Sequence, residues 1–358
     1  MTAAQFGRTL VHWYESNPRA LAWKGTRDPY LIWISEIILQ QTRVEQGTPY
    51  FEKFTSKFPT ISDLAKASEA EVLKIWEGLG YYSRARNLHA TARYIVEHYE
   101  GILPGSYDKL LKLKGIGPYT AAAISSFAFD QSHPAIDGNV SRFIARLAGV
   151  TDPLESSTFR KKIYDFLNLA IQYQKPSDFN QALINFGAMV CKPVKPLCES
   201  CPFQENCQAF QSSMQTSIPL KSKRIARKMR FFHFFHFEVK GHLFIEKRTG
   251  KDIWHNLYTL PWVETNTDSP FSSFPDMLFD NKYAEFIKPS THSIAPTVTL
   301  KQILTHQLVT GHFYKIACHE AQNQINQPFH LVDSKNLSNF AFPKIIRTYF
   351  AESGIVPD

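Results

Sequence analysis

At 358 residues, 44% hydrophobic and 20% charged, the chain is long enough for two ordinary domains whose cores need no disulfides. With 21 Pro and only 16 Gly it is not a collagenous, low-complexity or largely disordered protein. Its formal charge of +8 is compatible with a polyanionic partner but does not locate it.

The first residues, MTAAQFGRTLVHWYESNPRALAW, lack a basic segment followed by an unbroken apolar run, so no secretory signal is read there. The most apolar stretch, LIWISEIILQ, is interrupted by Ser35 and Glu36 and falls short of a membrane span. A soluble intracellular protein without membrane attachment is expected, cytoplasmic and nucleoid-associated in the bacterial manner or otherwise intracellular.

To about residue 210 the pattern is helical, with short Pro- or Gly-marked turns and no convincing alternating strand. The helical segments run from TAAQFGRTLVHWYES through YLIWISEIILQQT and TPYFEKFTSKF to SDLAKASEAEVLKIWEGLG, which reads as one helix starting at Ser62-Asp63 and ending at Gly78. RARNLHATARYIVEHY, SYDKLLKLKG, YTAAAISSFAF, NVSRFIARLAG, STFRKKIYDFLNLAIQYQ and DFNQALINFGAMVC follow. After residue 230, RFFHFFHFEVKGHLFIEKR and TVTLKQILTHQLVTGHFYKIACHE carry Phe, Val, Ile, Thr and His in strand-length runs, the texture of an α+β domain.

Charge follows these boundaries. Residues 1–215 hold 23 Lys and Arg against 20 acids, residues 216–230 six against none, and residues 231–358 eleven against twelve. TSIPLKSKRIARKMR therefore reads as a basic connector, either a solvated charge run or a phosphate-touching one.

Cys191, Cys198, Cys201 and Cys207 form C-x6-C-x2-C-x5-C in a Pro-containing loop after a helix. Four thiolates so close can wrap one iron–sulfur cube. A four-cysteine zinc site is the alternative, although structural zinc usually shows two short spacings parted by a longer loop. Lys192 and Lys195 inside the loop could meet a backbone phosphate, or the loop could serve only as a staple.

In LKGIGPYTAAAI, Gly115 and Gly117 separate two helices. Such glycines let the backbone approach a ligand, and the next helix offers unpaired N–H groups to an anion. An ordinary helix–helix turn would look the same, but Lys109, Lys112 and Lys114 favour a phosphate. Asp137 in AIDGNVSR reads as a helix cap, and Glu36 among Ile34, Ile37, Ile38 and Leu39 as the polar edge of a helix. A carboxyl in apolar surroundings would also have the raised pKa of a general acid.

DPYLIWISEIILQQTRV, EGLGYYSRARNLH, LKGIGPYTAAAI, AIDGNVSR, FNQALINFGAMVC and the cysteine loop together resemble, in order and spacing, the MutY-type adenine DNA glycosylases of the helix-hairpin-helix superfamily. The resemblance spans nearly the whole chain. It implies an all-α helix-hairpin-helix glycosylase domain over residues 1–215 with an iron–sulfur loop at 191–207. A basic linker at 216–230 and an α+β Nudix-like domain at 231–358 complete it.

By that resemblance Glu36 protonates the adenine and later handles the water, while Asp137 stabilises the oxocarbenium-like sugar. Tyr119 and Asn139 help align the site. Gln41 and Tyr81 penetrate the duplex, and Trp23, Lys24 and Gln181 line the pocket of the flipped adenine. Lys114, Gly115 and Gly117 clamp phosphate. One [4Fe-4S] cluster is held by the four cysteines, and the partner is double-stranded DNA carrying A opposite 8-oxoguanine or G, bound by a monomer. Tyr119 stands where the endonuclease III branch has its Schiff-base lysine, and Ser141 where some members carry another lysine, so a glycosylase without efficient lyase activity is expected.

KGHLFIEKRTGKDIWHNLYTLPWVE resembles the opening of a Nudix-like domain, but no R-E-x-x-E-E run follows Trp262, so a binding module is expected. Leu304, Thr305 and His306 resemble the family's loop that contacts 8-oxoguanine, with Thr305 keeping a hydroxyl. His233 and His236 read as strand packing, since nothing nearby completes a zinc site.

Overall fold

The computed structural model describes residues 1–153, 156–220, 226–271, 287–289, 295–321 and 329–355. It divides into two units, Met1–Ala67 with Arg86–Lys223, and Ser68–Ala85 with Arg224–Asp358. Among the described residues no helix is long and apolar enough to cross a membrane.

The first unit is helical. Its elements are α1 (Ala3–Ser16), α2 (Pro29–Leu39), α3 (Val44–Lys57), α4 (Ile61–Lys66), α6 (Ser83–Tyr99, from Arg86 onward), α7 (Tyr107–Leu111), α8 (Pro118–Phe129), α9 (Gly138–Ala148), α10 (Ser157–Ile171), α11 (Pro176–Met189) and the short α12 (Gln208–Gln211). Helix α8 is apolar on every side, and Thr120 to Phe127 are all buried, because α2, α7 and α11 surround it. Helix α2 is similar: eight of its eleven residues are buried, Glu36 among them. Phe6, Leu10, Val140, Phe143, Phe159, Leu167, Phe179 and Phe186 form a second core region from α1, α9, α10 and α11. Phe203 anchors the cysteine loop there, its ring 5.3 Å from Phe6 and 5.2 Å from Phe186.

One helix expected from the sequence is two. The segment at residues 62–80 breaks at Ala67-Ser68, leaving α4 and α5 (Glu69–Ile75). Capping boxes decide this: Thr60 pairs with Asp63 at the first start and Ser68 with Glu71 at the second. The cap of α4 is thus Thr60 rather than Ser62-Asp63, and α5 groups with the second unit.

The second unit is built on a mixed sheet. Strands β1 (Lys228–Val239) and β7 (Gln307–Ala321) pair in parallel through its middle. β2 (His242–Lys247), β3 (Tyr258–Thr259), β4 (Trp262–Thr265), β5 (Ile287–Pro289), β6 (Val298–Ile303) and β8 (Phe329–Asp333) add antiparallel partners. With α5 and a last helix α13 (Lys344–Glu352), the unit is α+β. Lys228 to Arg230, expected in the connector, already belong to β1, and residues 221–225 of that connector lie outside the described residues. The stretch after Trp262 where a Nudix glutamate run was sought is described only to Phe271.

His233 and His236 sit fully buried in β1. His233 bonds Tyr314 and Thr265, both at 3.0 Å, and His236 bonds Tyr349 at 2.8 Å. Burial, reinforced by His312 beside His233 and Lys315 beside His236, pushes each pKa from 6.5 down to about 4. Between those values the unfolded chain binds protons that the folded one refuses. Stability is therefore complete above pH 6.5 and is lost as pH falls toward 4, by about 3 kcal/mol for each histidine. Urea titrations of the C-terminal unit's near-UV signal at pH 7.0 and 5.0 should show this loss. His236→Gln should remove part of the difference, and an unchanged pH dependence would refute the assignment.

Candidate active site

Asp28 starts α2, accepting the Tyr30 amide at 2.8 Å with Pro29 in the first turn, and two turns later the helix places Glu36 in the interior. Only 7% of Glu36 is exposed. Burial is the main reason its pKa rises from 4.5 to about 7; nearby Asp137 adds to the rise, while a hydrogen bond donated by Tyr119 opposes it. Tyr119, near the start of α8, has its own pKa pushed far up by burial and by the two carboxylates.

Asp137 caps α9. Its Oδ1 accepts the Val140 amide at 2.7 Å and its Oδ2 the Asn139 side-chain amide at 2.8 Å. Burial raises its pKa, and these N–H donors, with Arg142, pull back toward the charged form. The structure therefore gathers Glu36, Tyr119, Asp137 and Asn139 from α2, α8 and α9. One carboxyl is held near neutrality and the other is supplied with donors, the division of labour an acid and an anion require.

Asn139 Oδ1 accepts from Arg142 at 2.9 Å, and Arg142 also donates to the carbonyls of Gly187 at 2.6 Å and Cys191 at 2.9 Å. Gly187 is required there: a Cβ would lie 2.7 Å from the Asn139 carbonyl oxygen. Arg146, one turn further along α9, is 2% exposed. It donates to the carbonyls of Ile218 (2.8 Å), Lys192 (2.6 Å) and Pro193 (3.2 Å) and to Cys191 Sγ at 3.5 Å, while its own carbonyl accepts from Cys207 Sγ at 3.4 Å. Neither arginine was singled out from the sequence. Arg146 sits among Phe143, Ile144, Ala145 and Leu147, and a cation in such an apolar run was the available signal.

The four cysteines, all partly buried, line one cavity with Phe143, Phe186, Phe203 and Arg146. Burial, helped by the neighbouring sulfurs, pushes the Cys191, Cys198 and Cys201 thiols up, Cys201 to about 11. Among the described residues no three His, Cys, Asp or Glu side chains close to single-ion spacing; the thiols surround a space rather than a point. The buried Arg146 bonds only carbonyls and a thiol, so an anionic thiolate-bound group suits this surrounding.

Gly115 turns the hairpin with φ +81°, and a Cβ on it would lie 2.7 Å from Asn87 Cβ on α6. Thr91 on the same helix, 1% exposed, donates to the Lys114 carbonyl at 2.7 Å. Lys114, Gly115 and Gly117 are exposed, and α8 begins at Pro118. If the hairpin clamps phosphate, as the resemblance implies, Gly115→Ala, strained in both φ and space, should weaken duplex affinity about tenfold in filter binding, and unchanged affinity would exclude the hairpin.

Gln41 is exposed just past α2 with φ +61°, and Trp23 lies half-buried, edge-on to Phe51 at 5.3 Å. Lys24 is exposed, and Gln181 is half-buried on α11. In the second unit Tyr81 is 49% exposed with φ +47°, so both residues matched as wedges hold the left-handed conformation. Arg84 braces the Tyr81 loop, stacking over Trp76 and Tyr81 and donating to the Leu79 and Gly80 carbonyls. The Tyr81 and Thr305 hydroxyls are hydrogen-bonded. Leu304 to His306 form the turn between β6 and β7, closed by Leu304 N–H to Gln307 C=O at 2.8 Å, with Thr305 and His306 exposed.

Residues 34–164 match the HhH-GPD superfamily base excision DNA repair protein, and residues 233–352 the NUDIX domain. The adenine DNA glycosylase of Buchnera aphidicola subsp. Schizaphis graminum (strain Sg) is 36% identical over 266 residues, 74% of this chain and 77% of the relative. That of Homo sapiens is 38% identical over 222 residues, 60% of this chain and 41% of the relative. Among solved structures, a thermostable thymine-DNA glycosylase superposes with a TM-score of 0.54 at 29% identity, covering 59% of this chain and 97% of the other. An endonuclease III in a non-covalent DNA complex superposes at 0.52 and 25% identity, covering 60% and 99%. The chain belongs to the adenine DNA glycosylase family.

Proposed function

We propose that the protein hydrolyses the N-glycosidic bond of adenine mispaired with 8-oxoguanine or guanine in duplex DNA, acting as a monomer and without an efficient lyase step. The observation that carries this reading is the pairing of Glu36, with a pKa near 7, and Asp137, whose two oxygens accept N–H donors. Glu36 delivers its proton to the ring of the flipped base, the C1′–N bond breaks toward the base, and Asp137 faces the developing positive charge. Water then adds to C1′ and its proton returns to Glu36. Tyr119 can donate a hydrogen bond but has no amine for a Schiff base.

Gly115 and Gly117 present the backbone to phosphate, Gln41 and Tyr81 enter the duplex, and Trp23, Lys24 and Gln181 receive the base. The Tyr81–Thr305 hydrogen bond supports a shared task in probing the base opposite, with Leu304 and His306 flanking it. Cys191, Cys198, Cys201 and Cys207 would hold one [4Fe-4S] cluster, a net dianion that staples the loop carrying Lys192 and Lys195. The unit of residues 1–67 and 86–223 acts as the catalytic domain, and the unit of residues 68–85 and 224–358 as the lesion-reading module, with the basic run ahead of β1 as connector.

Duplexes with A opposite 8-oxoguanine, G or T, and one with thymine glycol, test the reading. Strand breakage only after hot alkali, and only for A opposite 8-oxoguanine or G, is expected. Breakage without alkali would overturn the monofunctional assignment, and inactivity on every duplex the whole proposal.

A further inference from the structure

Residues 130–136, which lead from α8 to Asp137, form no regular element, so their backbone groups need partners elsewhere. Asp130 and Gln131 donate to carbonyls of α8, and Asn180 on α11 provides two further partners. Its Oδ1 accepts the Ala135 amide at 2.9 Å, and its Nδ2 donates to the His133 carbonyl and to Ser126 Oγ, both at 2.8 Å. Asn180, Ala135 and Ser126 are all 0% exposed, so water cannot readily replace the bonds to Ala135 and Ser126; the bond to His133 is part-buried. A backbone N–H only donates and a carbonyl only accepts, which fixes the orientation of the amide and makes a carboxylate a poor substitute.

The three contacts converge on the catalytic geometry. Ala135 is two residues before Asp137, and Ser126 is seven after Tyr119, two turns along the same face of α8. One side chain thus ties the helix carrying Tyr119 to the segment that delivers Asp137. We propose that Asn180 is a positioning residue for Asp137, setting where that carboxylate stands relative to Tyr119 and Glu36. Gln181, its neighbour, was assigned to the base pocket; Asn180 acts from behind the site and touches no substrate. The inference rests on the adenine glycosylase reading above.

Asn180→Leu keeps the branched outline of the side chain, at a larger volume, and removes all three bonds. With enzyme in excess over a duplex carrying A opposite 8-oxoguanine, its base-release rate constant should fall roughly a hundredfold, the cost of a misplaced reacting group. At saturating enzyme that rate constant does not depend on the fraction of correctly folded enzyme, which the burst amplitude with duplex in excess reports separately. Affinity for the same duplex with a cleavage-resistant 2′-fluoro adenosine should stay within about threefold, since Asn180 makes no DNA contact. An unchanged rate constant, or rate and affinity falling together, would overturn the proposal. If Asn180→Leu does not fold, Ser126→Ala removes one bond, and its rate constant should fall several-fold at unaltered affinity; no fall there refutes the role equally. Wild-type inactivity on the duplex, or full activity of Asp137→Asn, would instead sink the parent reading.

Discussion

Glu36→Gln is expected to lower the rate of adenine release about a thousandfold while leaving duplex affinity within about threefold. The amide keeps the shape and can still accept from Tyr119, but it has no proton to give. The wild-type profile should carry the same signature. With the Glu36 pKa near 7, kcat/KM should decline above about pH 7, as the carboxyl loses the proton it must donate. A decline centred near 4.5 would mean that burial does not act on this group.

The same residue should show a stability cost. Its folded pKa of about 7 lies above its ordinary 4.5, so the folded chain holds the extra proton between those values. The contribution to stability is complete below pH 4.5 and is lost as pH rises through 7, by about 3 kcal/mol. At pH 8 a charged carboxylate is buried in α2, and Glu36→Gln should raise Tm there while giving little gain at pH 4.5. A variant that is inactive yet more stable at high pH is what a group strained for function predicts. Thermal melts at the two pH values decide it.

Arg146→Leu is expected to cost about 3–5 kcal/mol, since it removes several charge-assisted hydrogen bonds and leaves buried carbonyls unsatisfied. Leucine leaves the carbonyls of Ile218, Lys192 and Pro193 without their donor and the cysteine cavity without its buried cation. If the four cysteines hold an iron–sulfur group, the variant should also contain less iron per chain and less visible absorbance. Urea midpoints and iron assays on purified protein separate the two effects. Wild-type iron content in a destabilised variant would confine Arg146 to backbone support, and wild-type stability would contradict the bonding seen here. Arg142, half-buried and bonded to the same loop, should behave more mildly.

Much of this molecule is legible in local sequence because its signals are local. Helix α8, the cysteine spacing, the Gly115–Gly117 turn and the Asp137 cap each depend on residues a few positions apart, where periodicity, spacing and capping chemistry act. The break between α4 and α5 is equally local, although the apolar period runs across both helices: the two capping boxes outweigh it.

What tertiary structure alone decided is burial and convergence. Glu36 looks like the polar edge of a helix until α8 packs against α2, and only then does its carboxyl titrate near 7. The hydrogen bond between Tyr81 and Thr305 joins positions 224 apart, and with the bonds of Lys74 to Phe340, Asn256 to Glu69 and Phe342 to Glu77 it ties residues 68–85 to the C-terminal unit although they read as part of the helical run. Asn180 is unremarkable as a letter and Arg146 stands out only as a cation in an apolar run, because most of their partners are backbone groups far away in sequence. Composition set the class and spacing set the motifs. The charge state of Glu36 and the placement of Asp137 come from groups that the chain brings together only when it folds, since desolvation and buried hydrogen bonds have no signature in a linear string.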